Sequence, residues 1–137
     1  MKLTKNDEKL IELAKGVLYA NKDLYNIQGS LVACVILTKS GNLYKGINIK
    51  TSHSICAEQV AIGQALACGE REFDTIATVK MNDDYTFRVI SPCGLCRYTM
   101  NKLEMDINVI VEDIENNTIL KVKPQKLLPY PYKQKRR

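Results

Sequence analysis

Tryptophan is absent from the 137-residue sequence, histidine occurs once, at His53, and apolar runs are short. A transmembrane helix needs roughly 20 consecutive apolar residues, and no segment approaches that length. Residues 1–22 mix Lys, Asp and Glu throughout, so they lack the continuous apolar core of a secretory signal peptide. We therefore expect a cytoplasmic protein without a membrane partner.

A large excess of charge of one sign is also missing from the body of the chain. The net charge is +5, but Lys133, Lys135, Arg136 and Arg137 supply four positive charges near the C-terminus. Without them, 16 basic residues stand against 15 acidic ones. A nearly neutral body argues against a groove that follows a nucleic-acid backbone, so nucleic acid is not an expected partner. We expect the basic segment 133–137 to be a frayed terminus.

The five cysteines need an explanation other than disulfides, because the cytoplasm keeps thiols reduced. With 45% hydrophobic and 26% charged residues, the chain has the composition of a globular protein, and its length suits one domain spanning 1–137. Metal binding or catalysis is the expected use of clustered cysteines in such a protein. Cys34 and Cys68 lie in apolar segments, which predicts that both are small core residues.

Hydrophobic periodicity predicts alternating helices and strands. Thr4 and Asp7 form a capping pattern before an amphipathic helix that continues to about Tyr19. Residues 31–37 are an unbroken apolar run, which predicts a strand buried on both faces. The other predicted elements are strands within 43–49, 75–81, 107–111 and 118–122, an extended segment 87–90, and helices over 56–68 and 93–103. This order predicts an α/β sandwich around one mixed sheet of about five strands.

Two short motifs, Cys56-Ala57-Glu58 and Pro92-Cys93-Gly94-Leu95-Cys96, carry the chemistry. Three thiols can hold zinc on three protein ligands and leave the fourth position for water, with a carboxylate beside it as a proton carrier. Cys93 and Cys96 stand at i and i+3, so both sulfurs can face one point on the opening turn of a helix. Cys56 and Glu58 are two residues apart, so they share a site only if Cys56 lies at an irregular first turn.

This arrangement predicts a catalytic zinc site between two helix starts. Three thiolates around a divalent cation leave a net negative charge, which the positive ends of the two helices and the nearby Arg97 would offset. Other uses of the cysteines remain open. Cys93 and Cys96 have the spacing of a redox pair, although that interpretation leaves Cys56 and Glu58 without a role. A closed structural zinc site would need a fourth ligand, for which His53 is the available candidate.

The combination of Cys-Ala-Glu with Pro-Cys-Gly-x-Cys-Arg resembles the cytidine deaminase superfamily. Within it, segments 56–63, 73–76, 88–94 and 127–132 look most like the blasticidin S deaminases. The resemblance covers about residues 31–132. It implies a three-layer α/β/α sandwich with a mixed sheet, one Zn²⁺ per chain, and a homotetramer with sites near the subunit contacts.

The resemblance also implies a reaction and a substrate class. Cys56, Cys93 and Cys96 would hold the zinc, and Glu58 would transfer protons during hydrolytic attack at C4 of a cytosine ring. The products would be a C4 carbonyl and ammonia. The implied substrate is a free cytosine nucleoside, or a cytosine-nucleoside antibiotic of the blasticidin S type.

Further positions match residues that contact the substrate in the superfamily. By the resemblance, the Ala57 N–H would donate to the ring O2 and the Ser91 carbonyl would accept from the amine. Asn48 would contact the sugar, although an exposed polar residue at a strand end fits the same pattern. Tyr132, in the aromatic C-terminal segment, would cover the pocket of its own or a neighbouring subunit, although a packing role fits it as well.

Three positions depart from the superfamily pattern. Lys50 occupies the place where many cytidine deaminases have a Glu that grips a ribose hydroxyl, Gln59 replaces an Arg that often follows the catalytic Glu, and Tyr98 replaces a Gln or Glu. Sugar recognition is therefore open, whereas cytosine chemistry is not. The alternatives are an ordinary cytidine or deoxycytidine deaminase of pyrimidine salvage and a non-catalytic, zinc-stabilised binding domain. The neutral body and the lack of Trp disfavour a polynucleotide deaminase.

Overall fold

The computed structural model describes residues 2–133. Its helices are α1 Lys5–Ala20, α2 Asp23–Gln28, α3 Ala57–Ala67, α4 Gly94–Lys102 and α5 Pro124–Leu127. Its strands are β1 Val32–Thr38, β2 Leu43–Ile47, β3 Phe73–Met81, β4 Phe87–Val89, β5 Asn108–Asp113 and β6 Thr118–Val122. Every predicted helix and strand is present. The short helices α2 and α5 were not predicted, because so few residues do not display a helical period.

The strands form one mixed sheet in the order β2-β1-β3-β5-β6, and β4 pairs with the end of β3. Neighbouring strands are antiparallel except β3 and β5, which run parallel. The chain between these two parallel strands includes α4, as a crossover connection requires. The predicted mixed sheet of about five strands is confirmed, with β4 as a short sixth strand.

Helices cover both faces of the sheet. On β1, Cys34 and Ile36 belong to the core formed with α3 and α4, whereas Ala33 and Val35 belong to the core formed with α1. Alternate residues of one strand therefore enter two different cores, which is why the sequence of β1 is apolar without interruption. The predicted three-layer α/β/α sandwich is confirmed.

The α1 layer is fixed by a cap and a buried ion pair. The Asp7 N–H donates to the Thr4 hydroxyl, and the Asp7 carboxylate accepts from the Thr4 N–H, which completes the predicted capping box. The same carboxylate lies 2.8 Å from Nζ of Lys121 on β6. Because both side chains are almost fully buried, this pair joins α1 to the last strand of the sheet.

One sequence-based prediction about the cysteines is wrong, and another prediction falls on residues that the structure does not describe. Cys34 is buried as predicted, but the prediction of a buried Cys68 is wrong, because Cys68 is the exposed C-cap residue of α3. None of the helices within 2–133 is long and apolar enough to cross a membrane. The predicted frayed segment 133–137 lies outside the described residues except for Lys133.

Candidate active site

Two cysteines stand at the starts of two helices. Cys56 is the N-cap of α3 and Cys93 is the N-cap of α4, both with extended backbone. The predicted irregular first turn at Cys56 is confirmed, and it allows Cys56 and Glu58 to face the same cleft. The N–H groups of a first helical turn lack acceptors within the helix and carry partial positive charge. Two such helix starts therefore favour thiolates between them.

The three motif thiols form one cluster. The Sγ atom of Cys93 lies 3.5 Å from that of Cys56 and 3.6 Å from that of Cys96, and all three sulfurs lie within 4.8 Å of one another. Among residues 2–133, this is the one group of three or more Cys, His, Asp or Glu side chains so arranged. Three convergent thiols suit a single zinc ion with one open position, and a redox pair would require only two of them.

The ionisation properties of the thiols also fit a cation at this position. Burial opposes ionisation of Cys93, but backbone N–H groups of α4 and the neighbouring thiols lower its pKa below the ordinary value. Burial raises the pKa of Cys56, and burial together with the charge of Glu58 raises that of Cys96. A bound metal ion shifts such thiols to the thiolate form, so its binding would release protons.

Glu58 is the second residue of α3 and is only 4% exposed. Burial raises the pKa of its carboxyl group. Hydrogen bonds from its own backbone N–H and from the Thr78 hydroxyl partly oppose this increase. No Lys, Arg or His side chain within residues 2–133 forms an ion pair with it. A buried carboxyl group that lacks a cationic partner can take up and release a proton, as acid–base catalysis requires.

Gly46 on β2 allows the start of α3 to lie against the sheet. A Cβ atom at this position would come within 2.4 Å of the Ala57 carbonyl oxygen and 2.6 Å of the Ala61 nitrogen. Both contacts are with backbone atoms, so no side chain could move away to relieve them. Sequence reasoning missed this residue, although a glycine inside a strand is a known sign of close backbone approach.

A residue that was not predicted, Gln59, contacts the cluster directly, and the predicted charge-offsetting role of Arg97 stays a prediction. The Gln59 amide donates to Sγ of Cys96 at 3.5 Å and to the Thr99 hydroxyl at 2.9 Å. The Arg97 guanidinium instead donates to the carbonyl oxygens of Pro92 and Leu127. Arg97 thus holds the segment before α4 in place, while a neutral amide contacts the cluster. Gln59 could have been found from its spacing, because it lies three residues after Cys56 and therefore near the same side of the helix.

A cleft of about 250 Å³ opens beside the cluster, and most of the predicted substrate-contacting residues line it. Asn48, Ala57 and Ser91 lie in its wall together with Cys56, Glu58 and Cys93. Ala57 is the first residue of α3, so its N–H has no acceptor within the helix. Asn48 is a partly buried residue whose Oδ1 accepts from the Val32 N–H at 2.9 Å, and its side-chain amide nitrogen lies 3.4 Å from the Ser30 hydroxyl.

Ser91 is held at the rim of the cleft by its side chain. Its hydroxyl oxygen accepts from the Glu112 N–H at 3.1 Å and lies 3.4 Å from the Glu112 carbonyl oxygen. These contacts fasten the segment before α4 to β5. The hydroxyl contacts therefore anchor Ser91 to the sheet, and its backbone carbonyl is held in place with it.

Two predicted residues lie outside this cleft. Tyr132 is 74% exposed and lines a separate small cavity beside Tyr98. Its predicted role as a cover for the pocket stays a prediction.

His53 is exposed, and its backbone N–H donates to the Thr51 hydroxyl in the loop before α3. It does not belong to the thiol cluster, so the structure does not bring it forward as a fourth ligand.

Residues 4–112 match the family described as "Cytidine and deoxycytidylate deaminase zinc-binding region". A Bacillus cereus protein named blasticidin-S deaminase is 31% identical over 137 residues, which cover 95% of this chain and 94% of that protein. A protein of Halalkalibacterium halodurans named cytidine deaminase is 31% identical over 102 residues, which cover 72% of this chain and 74% of that protein.

A crystal structure of cytidine deaminase from Burkholderia pseudomallei superimposes with a TM-score of 0.68 at 28% identity, covering 91% of this chain and 98% of that one. The resemblance found in the sequence and the prediction of one zinc ion per chain are thus confirmed. The chain belongs to the cytidine and deoxycytidylate deaminase family, as a hydrolytic deaminase whose zinc-binding cluster is formed by Cys56, Cys93 and Cys96.

Proposed function

We propose that the protein hydrolyses the C4 amine of a cytosine nucleoside or of a cytosine-nucleoside antibiotic of the blasticidin S type. One water is consumed, the C4–N bond is replaced by a C4–O bond, and ammonia leaves. The proposal rests on one observation above all. The buried carboxyl group of Glu58 lines the same cleft as the metal-binding thiols of Cys56 and Cys93. A purely structural zinc site has no use for such a group.

Each step of the proposed reaction has a residue of the chain that can serve it. When bound, zinc supplies Lewis-acid activation of water at neutral pH. Glu58 would take a proton from the attacking water, deliver it to the ring nitrogen N3, and later protonate the departing ammonia. Because the side chain is buried, the proton would stay within the cleft between these transfers.

Two backbone groups would orient the ring. The N–H of Ala57 is directed by the helix start, and we propose that it donates to the ring O2. The carbonyl of Ser91 would accept from the amine that is to be replaced. Since the Ser91 hydroxyl is bonded to the backbone of Glu112, its carbonyl can hold one orientation without rearrangement during the reaction. Asn48 would contact the sugar through its amide nitrogen.

Two substrate types are supported by different relatives. The blasticidin S type is favoured by the Bacillus cereus relative, which aligns over nearly the whole of both chains. Ordinary cytidine or deoxycytidine deamination is favoured by the Halalkalibacterium halodurans relative and by the Burkholderia pseudomallei structure, both of cytidine deaminases. We place the blasticidin S type first, because Lys50 stands where a ribose-gripping Glu is common in cytidine deaminases.

The proposed assembly is a homotetramer in the cytoplasm. The support within the chain is the exposure of Tyr130 and Tyr132. Tyr132 lies away from the cleft of its own chain and is 74% exposed, so a neighbouring subunit's cleft is the one that it would cover. Light scattering of the purified protein would test the assembly state. If Tyr132 covers a neighbouring cleft, truncation of the chain before Tyr130 should weaken substrate binding and so lower activity.

A substrate panel tests the proposed function. The zinc-loaded protein would be incubated with cytidine, deoxycytidine and blasticidin S, while ammonia release and the loss of cytosine absorbance are followed. We expect deamination of at least one compound, with the highest kcat/KM for blasticidin S. A higher value for cytidine would support the salvage enzyme instead. If the fully zinc-loaded protein deaminates none of the three, the proposed function is wrong.

A further inference from the structure

Gln28 lies outside the cleft beside the thiol cluster but forms hydrogen bonds with three residues that line it. It is the last residue of α2, and Gly29 after it has a left-handed backbone conformation, which glycine adopts readily. The chain turns there, and the Gln28 amide lies beside the segments that lead into β1 and out of β2. Because Gln28 does not line the cleft itself, it can affect a bound substrate only through its neighbours.

Both ends of the Gln28 amide are used. Its nitrogen, Nε2, lies 2.9 Å from the Ser30 carbonyl oxygen, 3.1 Å from the Asn48 carbonyl oxygen and 3.3 Å from Oδ1 of Asn48. Its oxygen, Oε1, accepts from the Lys50 N–H at 3.3 Å. Carbonyl oxygens only accept and a backbone N–H only donates, so these partners fix the orientation of the amide. Gln28 thus holds the backbone on both sides of the Asn48 side chain.

These contacts decide which atom of the Asn48 amide faces the cleft. Oδ1 accepts from the Val32 N–H at 2.9 Å as well as from Gln28. Both partners are donors, so the atom that meets them must be the oxygen. The amide nitrogen, Nδ2, lies 3.4 Å from the Ser30 hydroxyl, and both Ser30 and Asn48 line the cleft. Asn48 therefore presents an N–H donor to a ligand.

Loss of the Gln28 hydrogen bonds should leave the fold intact. Helix α2 has no fully buried residue, and Gln28 is itself only partly buried. It belongs to neither of the two hydrophobic cores, so a substitution there opens no cavity in them. The effect of such a substitution should instead appear at Asn48, which would lose a donor to its side chain and to its carbonyl oxygen.

We propose that Gln28 is a positioning residue for substrate binding: it holds Asn48 so that the amide N–H points at an acceptor oxygen on the substrate's sugar. This inference rests on the proposed function and adds a requirement for its substrate. If Asn48 turned its oxygen to the cleft, the Val32 N–H would lose its acceptor, which is unfavourable for a partly buried group. A donor that is already oriented needs no ordering when the substrate binds, and this favours a low KM.

Two substitutions of Gln28 test the proposal on the best substrate among cytidine, deoxycytidine and blasticidin S. Gln28→Met keeps the length of the side chain but removes its donors and acceptor, so KM should rise about fivefold while kcat changes less than about twofold. Gln28→Glu keeps the shape and an acceptor for the Lys50 N–H, but its carboxylate cannot donate to Asn48, so KM should rise at least as much. Gln64→Met is the matched control, because Gln64 is an exposed residue of α3 that accepts from the Lys45 N–H outside the cleft.

A double-mutant cycle shows whether Gln28 acts through Asn48. Asn48→Ala should raise KM at least as much as Gln28→Met, and the double variant should match Asn48→Ala alone, because a residue that only positions Asn48 has nothing left to position. Asn48→Asp tests the donor itself. It keeps an oxygen for the Val32 N–H but has no N–H for the sugar, so it should raise KM as much as Asn48→Ala does. Thermal unfolding of every variant measures whether the fold is retained.

The outcomes separate this inference from the proposed function. The positioning role is disproved, while the deaminase function stands, if Gln28→Met and Gln64→Met have the same KM or if the effects of Gln28→Met and Asn48→Ala multiply. A Gln28→Met protein that does not fold would also contradict it, because the role of Gln28 would then be structural. An unchanged KM in Asn48→Asp would show that the sugar does not accept from Asn48. If zinc-loaded wild type releases ammonia from no cytosine compound, the proposed function fails and the role of Gln28 fails with it.

Discussion

Two buried carboxyl groups lie on opposite faces of the sheet and have opposite surroundings. Asp7 on the α1 face and Glu58 on the α3 face are each 4% exposed. Burial opposes ionisation of Asp7, but hydrogen bonds from Lys121 and Thr4 lower its pKa below the ordinary value. At Glu58, burial prevails and the pKa is raised. Two carboxyl groups with the same low exposure therefore ionise in opposite ways, because Asp7 has a cationic partner, whereas Glu58 lies deeper in the protein and has no Lys, Arg or His partner among residues 2–133.

The difference separates a structural acid from a catalytic one. A carboxylate held ionised by a buried ammonium group contributes to stability through its charge and cannot easily exchange a proton. A carboxyl group buried without a cation costs stability but can act as a proton carrier. In this protein the first joins α1 to β6, and the second lies beside a metal-binding cluster. Removing the charge of Asp7 should lower stability without lowering activity, and removing the carboxyl group of Glu58 should lower activity without lowering stability.

The largest expected effect is that of Glu58→Gln on turnover. The amide cannot accept and deliver protons, so we expect kcat to fall about 10²- to 10⁴-fold. Zinc content should stay at one per chain, because the substitution leaves the three thiols unaltered, and the thermal midpoint should be unchanged or raised. Ammonia release, zinc analysis and thermal unfolding measure the three quantities. Glu12→Gln, which removes an exposed acid on α1, is the matched control.

Retained turnover in the zinc-loaded Glu58→Gln protein would contradict the catalytic assignment. In that case the protein would be a deaminase in which a group other than Glu58 transfers the protons. A loss of zinc together with turnover would instead show that the carboxylate supports the metal site, and the comparison with Asp7 would no longer hold.

The next effect in size is that of Asp7→Asn on stability. The amide can still accept from the Thr4 N–H, so the substitution mainly removes the charge that neutralises Lys121. Breaking a buried pair in this way should lower the free energy of unfolding by about 3 kcal/mol, with kcat unchanged in the folded fraction. Denaturant unfolding and ammonia release give the two values. Asp7→Asn combined with Lys121→Met should recover much of the lost stability.

The same variant has a defined dependence on pH. The folded-state pKa of Asp7 lies below its ordinary value of 3.8, so its charge stabilises the wild type above that pH, and the contribution is lost as pH falls through the folded-state pKa. The difference in unfolding free energy between wild type and Asp7→Asn should therefore be largest above about pH 5 and shrink towards pH 3. A difference independent of pH would show that packing, not charge, is responsible.

Much of this arrangement could be predicted from the sequence, because its signals are local. The capping box of Thr4 and Asp7 spans one helical turn, and Cys56-Ala57-Glu58 specifies both the start of α3 and the chemistry beside it. The unbroken apolar run of residues 31–37 likewise predicted that β1 is buried on both faces of the sheet. In each case the residues that cooperate are neighbours in the chain or share one periodicity.

What could not be predicted depends on contacts between distant segments. Lys121 becomes the partner of Asp7 only when β6 joins the sheet, and Gly46 is required only because α3 packs directly on β2. Thr78 likewise meets Glu58 from a strand twenty residues later. The exposure of Cys68 was mispredicted because the apolar pattern does not show where α3 stops covering the sheet.

The smallest expected effect is that of Thr78→Val, and it tests how the carboxyl group of Glu58 is held. Valine keeps the shape of this buried side chain but removes the hydroxyl that donates to Glu58, a hydrogen bond worth about 1 kcal/mol. We expect kcat to fall about fivefold with little change in KM. Thr75→Val is the matched control, because Thr75 is equally buried on the same strand but its hydroxyl donates to Asp74. Equal kcat values in the two variants would mean that the start of α3 positions Glu58 without help from Thr78. The contrast with Asp7 would then arise because Glu58 has no Lys, Arg or His partner in the described part of the chain, and not from its contact with β3.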